Sequence, residues 1–167
     1  MDEPLAIVGY MGSGKTTLGR LLARALECEL VDLDDEIVKR AGKEIPEIFA
    51  ECGEETFRNL EHGALLEALD GLPPPVVACG GGVVVRPENR ALLRDVTTVF
   101  LGEDTEVLYR RTRSPGRPLR AASPEEFESR YRERLPLYRE VADFEVGIDG
   151  REPCRVTEEV LGCLSRR

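Results

Sequence analysis

Residues 9–17 read GYMGSGKTT, and no other stretch limits so strongly what this chain can fold into. The stretch matches G-x-x-x-x-G-K-[ST] at Gly9, Gly14, Lys15 and Thr16. An apolar run over 5–8 leads into it and a helical pattern leaves it from Lys15, which is the context the motif requires. Its glycines let successive backbone N–H groups turn inward around phosphate oxygens, and the helix that starts there adds a favourable dipole. The same geometry brings the Lys15 ammonium to the β- and γ-phosphates of a nucleotide and the Thr16 hydroxyl to a Mg2+ ion.

The rest of the chain repeats the same alternation. Strand-like runs over 5–8, 29–33, 76–79, 97–101 and 144–148 are separated by helical patterns over 15–26, 35–41, 45–50, 55–69, 87–94, 105–113, 124–142 and 155–165. Apolar strands alternating with helices predict a parallel sheet covered on both faces, with ligands bound beyond the carboxyl ends of the strands. A length of 167 residues suits one domain with a real core. No apolar run approaches the roughly 20 residues a membrane span needs. With 23 basic and 32 acidic residues the net charge is −9, which argues against nucleic acid or an anionic membrane as partner. The start of the chain lacks the basic segment of a signal peptide, and five cysteines without a C-x-x-C pair suit a reducing compartment, so a cytoplasmic protein is expected. His62 is the single histidine and reads as incidental to the chemistry.

Chemistry-bearing residues cluster where the strands end. In VDLDDE, residues 31–36, strand alternation predicts Asp32 and Asp34 on one side of the sheet edge. One carboxylate can serve a metal while the next contacts an acceptor hydroxyl that loses its proton as it attacks a γ-phosphoryl group. Asp35, heading the helix predicted over 35–41, suits a helix cap instead. Arg58 has Glu61 three residues on, so the two share a helix face: an exposed pair would contribute little, but a pair facing the sheet edge could grip an anion. Arg134 precedes Pro136, which is expected to end or kink its helix near that cleft. Five arginines fall within residues 110–120, and RSPGRPLRAA over 113–122 reads as a loop closed off by a capping box at Ser123–Glu126. A basic Pro/Gly loop of that size suits a mobile lid over a triphosphate. The strand over 76–79 ends in three glycines, Gly80 to Gly82, and offers no metal-binding carboxylate.

These segments in this order (GYMGSGKTTLGRLLA, DLDDEI, IFAECGEETFRNLE, CGGGVV, RRT with GRPL, and RLPLYREVAD) resemble the shikimate kinases along essentially the whole chain. The resemblance implies a three-layer α/β/α P-loop NTPase fold of the nucleoside-monophosphate-kinase type, whose five-stranded parallel sheet has the order 2-3-1-4-5 and carries a mobile lid. It implies a single domain over 1–167, with a substrate-binding segment over about 33–61 and a lid over about 112–123. The implied reaction is phosphorylation of the 3-hydroxyl of shikimate by ATP with Mg2+, in the pathway to chorismate and the aromatic amino acids. It assigns Asp34, Arg58 and Arg134 to shikimate, with the Gly80, Gly81 and Gly82 backbone beside it. Gly12, Ser13, Gly14, Lys15, Thr16 and Thr17 go to ATP, Thr16 and Asp32 to the metal. Lys15, Asp34 and Arg117 become the catalytic set, Arg117 as the lid arginine. Arg111 stacks on adenine, with Pro153 as the opposite face.

Three other readings stand beside it: a gluconate kinase on the same fold, a nucleoside-monophosphate kinase, and a non-catalytic nucleotide-gated subunit. The D-L-D, CGGG and RLPLY segments favour shikimate, no second nucleotide site is evident, and Lys15, Asp34 and Arg58 are all present. An acidic surface without an interface stripe points to a monomer.

Overall fold

The computed structural model describes residues 2–112, 123–148 and 150–166. The loop over 113–122, with Arg117, lies outside the described residues. Five short strands, β1 (Leu5–Gly9), β2 (Leu30–Asp32), β3 (Val76–Ala78), β4 (Thr97–Gly102) and β5 (Phe144–Gly147), form one parallel sheet in the order β2-β3-β1-β4-β5. β1 is buried along its whole length, as expected of a central strand with partners on both sides.

Helices cover both faces. α1 (Lys15–Ala25) and α7 (Pro153–Leu164) pack on one, over a core of Leu5, Ile7, Leu22, Val99 and Val160. On the other lie α2 (Leu33–Ala41), α3 (Ile45–Leu69), α4 (Pro87–Arg94), α5 (Thr105–Arg111) and α6 (Pro124–Val141). Their core joins Val8, Tyr10, Ile37, Leu65, Phe100 and Tyr138. Alternate residues of β1 feed the two cores, which is the period-2 geometry of a strand. No helix among the described residues is long and apolar enough to cross a membrane.

One local expectation changes. The helix expected from Asp35 begins at Leu33: Asp32 is its N-cap and accepts the Asp34 N–H at 3.1 Å, so Asp35 lies inside the first turn and caps nothing. Asp34 is therefore helical, and it meets Asp32 through the strand-to-helix turn rather than by strand alternation. Of the two outcomes open at Pro136, an end does not occur: α6 runs on to Val141, as the helical pattern over 124–142 predicts. The buried side chains of Tyr138 and Val141 hold the last turn against the core, and this packing offsets a proline cost of about 3 kcal/mol. The two helices expected over 45–50 and 55–69 are both present within α3, separated by a break at Gly53, whose φ of 80° and ψ of 171° no helix contains.

Candidate active site

The phosphate loop sits between β1 and α1. Gly12 has φ 83°, and a Cβ there would meet the Leu108 carbonyl oxygen at 2.9 Å, so only glycine lets the loop rest on the end of α5. Lys15 Nζ donates to the Tyr10 carbonyl at 3.0 Å and reaches Ser13 Oγ at 3.5 Å. Thr16 Oγ1 donates to Asp32 Oδ2 at 2.7 Å. Asp32 thus holds the first turn of α2 with one oxygen and the Thr16 hydroxyl with the other.

Across from this loop, the break at Gly53 re-aims α3 so that Arg58 and Glu61 face inward. Arg58 Nη1 donates to Glu61 Oε2 at 2.6 Å, while Arg58 Nη2 and Nε reach Glu54 Oε1 at 3.2 and 3.3 Å. The Glu61 side chain is 1% exposed. The pair is the inward-facing one, not the exposed one. Burial pushes the Glu61 carboxyl above the ordinary glutamate range, against the opposing pull of Arg58. Burial works against the Arg58 charge, but Glu61 and Glu54 outweigh it and raise its pKa.

The glycine triplet is the wall between the two halves. A Cβ at Gly82 would lie 2.3 Å from Arg58 Nη1, and a Cβ at Gly80 would lie 3.0 Å from both Asp34 Oδ1 and Glu61 Oε1. Absent side chains here let two carboxylates and a guanidinium crowd the backbone. The Gly81 carbonyl accepts from Arg134 Nη1 at 3.1 Å and from the Tyr138 hydroxyl. Tyr138 lies in the helical pattern over 124–142 but carries no signal of its own in the sequence, because its role is a tertiary contact with the Gly81 carbonyl. Cys79 is buried behind the triplet, and burial pushes its thiol up, so it is a packed neutral group. His62 takes no part in the site: its Nδ1 lies 2.6 Å from Asn89 Oδ1, and Asn89 Nδ2 donates to the Val83 carbonyl just past the triplet.

One cavity of about 730 Å³ joins these pieces; Lys15, Thr16, Asp32, Asp34, Arg58, Arg134 and the three glycines all line it. Phe49 and Phe57, ring centroids 4.6 Å apart, add an apolar wall that the sequence reading missed, and Arg130 adds a further cation. A smaller depression of about 250 Å³ adjoins it, lined by Ser13, Thr17, Arg111 and Pro153 with apolar Leu18 and Ile148. Arg111 and Pro153, 42 positions apart in the numbering, are thereby brought to one hollow.

Known proteins agree with this geometry. A family model described as shikimate kinase matches residues 11–165. A shikimate kinase of Dictyoglomus turgidum is 39% identical over 166 residues, which is 96% of this chain and 96% of that one. The structure of shikimate kinase from Acinetobacter baumannii in complex with shikimate superposes with a TM-score of 0.93 at 33% identity, covering 98% of this chain and 93% of that one. A gluconokinase of Sinorhizobium meliloti, at 18% identity and a TM-score of 0.65 over 99% of this chain and 93% of its own, is similar in fold alone. By sequence and by three-dimensional structure, the chain belongs to the shikimate kinase family.

Proposed function

We infer that this protein transfers the γ-phosphoryl group of ATP to the 3-hydroxyl of shikimate, giving shikimate 3-phosphate and ADP, in the route to chorismate and the aromatic amino acids. One observation carries the reading: a single cavity holds a phosphate loop on one wall and, on the other, two arginines beside a side-chain-free backbone. The first suits a nucleotide and the second a small hydroxylated carboxylate.

In this reading Arg58 and Arg134 grip the substrate carboxylate or hydroxyls, and Glu61 keeps the Arg58 fork in its plane. Asp34, beside Gly80, accepts the hydroxyl proton as the oxygen attacks phosphorus and the bond to the ADP oxygen breaks. Lys15 leaves its loop contacts for the β- and γ-phosphates and offsets the charge that builds there. The phosphate-loop residues Gly12, Ser13, Gly14, Thr16 and Thr17 bind the nucleotide, and its base lies in the hollow between Arg111 and Pro153. Thr16 and Asp32 are hard oxygen donors already in contact, and they fit Mg2+, which keeps most of its shell for water and phosphate oxygens. Held there, the ion would offset negative charge on the phosphates. Arg117, within a lid over about 112–123, is assigned to the γ-phosphate on the family resemblance. The whole chain then acts as one domain, with a substrate-binding segment over about 33–61, as a cytoplasmic monomer with no nucleic-acid or membrane partner.

A coupled ADP-release assay offering shikimate, gluconate and nucleoside monophosphates in separate reactions tests this. Turnover is expected with shikimate, and its absence there overturns the reading.

A further inference from the structure

Glu103 lies one residue past β4, at the carboxyl edge of the sheet where the chain turns into α5. Its side chain is 2% exposed, although glutamate is rarely buried without a partner. Oε1 accepts the Asp104 amide N–H at 2.9 Å. Oε2 is buried and accepts no hydrogen bond among the described residues. A buried polar atom left in this state costs stability and calls for an explanation.

The explanation stands nearby. Arg111 Nη2 is 3.8 Å from Glu103 Oε2, close enough for attraction between the charges and too long for a hydrogen bond. The Arg111 side chain is 38% exposed, so the carboxylate holds it from the protein side and leaves the other side of the guanidinium to a ligand. Arg111 lines both the large cavity and the smaller hollow it shares with Pro153. Its backbone is fixed in place, because a Cβ at Gly12 would be 3.5 Å from the Arg111 Cβ: the last turn of α5 is packed on the phosphate loop. What remains free is the long side chain, and ordering such a chain on binding costs entropy.

We propose that Glu103 is a positioning residue for the nucleotide: its buried carboxylate restrains the Arg111 guanidinium against the purine base, and Oε2 gains a full hydrogen bond from Arg111 when nucleotide is bound. The proposal rests on the reading of the Arg111–Pro153 hollow as the base site. An exposed Glu–Arg pair would contribute little to such restraint. Here one partner is buried and, among the described residues, has an oxygen with no other hydrogen bond, so the pair acts as an anchor rather than a surface contact.

Calorimetric titration of ADP into the wild-type protein and into the Glu103→Gln, Arg111→Met and doubly substituted variants tests it. Glutamine keeps the shape and an oxygen for the Asp104 N–H, and it replaces Oε2 by an NH2 donor, which removes both the charge and the acceptor that face Arg111. Losing an oriented charged contact corresponds to roughly tenfold in affinity. Arg111→Met should therefore bind ADP about tenfold more weakly, and Glu103→Gln roughly three- to tenfold more weakly. The double variant should be no weaker than Arg111→Met alone, and the KM for shikimate in Glu103→Gln should stay within about twofold of wild type. ADP binding in Glu103→Gln that equals or exceeds wild type, two losses that multiply, or a parallel rise in shikimate KM each overturn the proposal alone. Wild-type binding in Arg111→Met would overturn the reading of the hollow and the proposal with it.

Discussion

The guanidinium of Arg58 lies against the α-carbon of Gly82, so close that a methyl group there would stand 2.3 Å from Nη1 and 2.5 Å from Nη2. The third glycine of the triplet is thus the space in which Arg58, the arginine proposed to grip the substrate, rests, with Glu61 closing the other side at 2.6 Å.

Gly82→Ala should therefore displace Arg58 and leave the backbone in place, since the obstructed atoms are the far end of a flexible side chain. Losing a charge-assisted contact costs about 1.5–3 kcal/mol, which corresponds to a rise in shikimate KM on the order of ten- to a hundredfold. The KM for ATP should change little. Steady-state kinetics with each substrate varied in turn checks this, and equal rises in both KM values would contradict it.

Asp34→Asn removes a proton acceptor without changing shape. Turnover should fall by roughly two to four orders of magnitude, the range supplied by a positioned general base. Affinity for ATP, measured by direct binding, should stay within about twofold. A comparable loss of ATP binding would move Asp34 from the acceptor to the nucleotide.

The raised pKa of Glu61 makes the site sensitive to acid. Because burial raises it, the folded protein binds this proton more tightly than the unfolded chain does. Glu61 contributes stability below the ordinary glutamate pKa, and that contribution is lost as pH rises through the raised value. Function has the opposite need, since a neutral Glu61 no longer holds Arg58 by charge. The shikimate KM should rise as pH falls through the raised value. Glu61→Gln should start from a higher KM and lack this limb, and a KM–pH profile parallel to wild type would refute the assignment.

Asn89 is fully buried and links α3 to the segment after the triplet. With its NH2 turned to the Val83 carbonyl, its oxygen faces His62, so the proton between them sits on Nδ1. Asn89→Leu strands a buried carbonyl and an imidazole N–H, and should lower unfolding free energy by roughly 1–3 kcal/mol. Denaturant titration measures it, and a loss under about 0.5 kcal/mol, the range of ordinary surface changes, would show the link to be slack.

The phosphate loop is legible in the chain because its chemistry is local: consecutive amides, a lysine and a hydroxyl are fixed by eight adjacent residues and by the helix that follows them. Strand order and helix layers follow from apolar periodicity plus the family resemblance, and the assignments of Asp34, Arg58, Arg134 and the triplet to one place follow from that resemblance too. Local pattern misjudged the place where a competing contact wins: Asp32, three residues before Asp35, caps α2. Whether Arg58 and Glu61 form a weak surface pair or a buried clamp was open in the sequence, because helix spacing is the same in both cases. Burial decides it, by removing the water that would otherwise screen the charges. The meetings of Gly82 with Arg58 and of Tyr138 with Gly81 join residues that no spacing rule connects, and only packed layers bring them within reach.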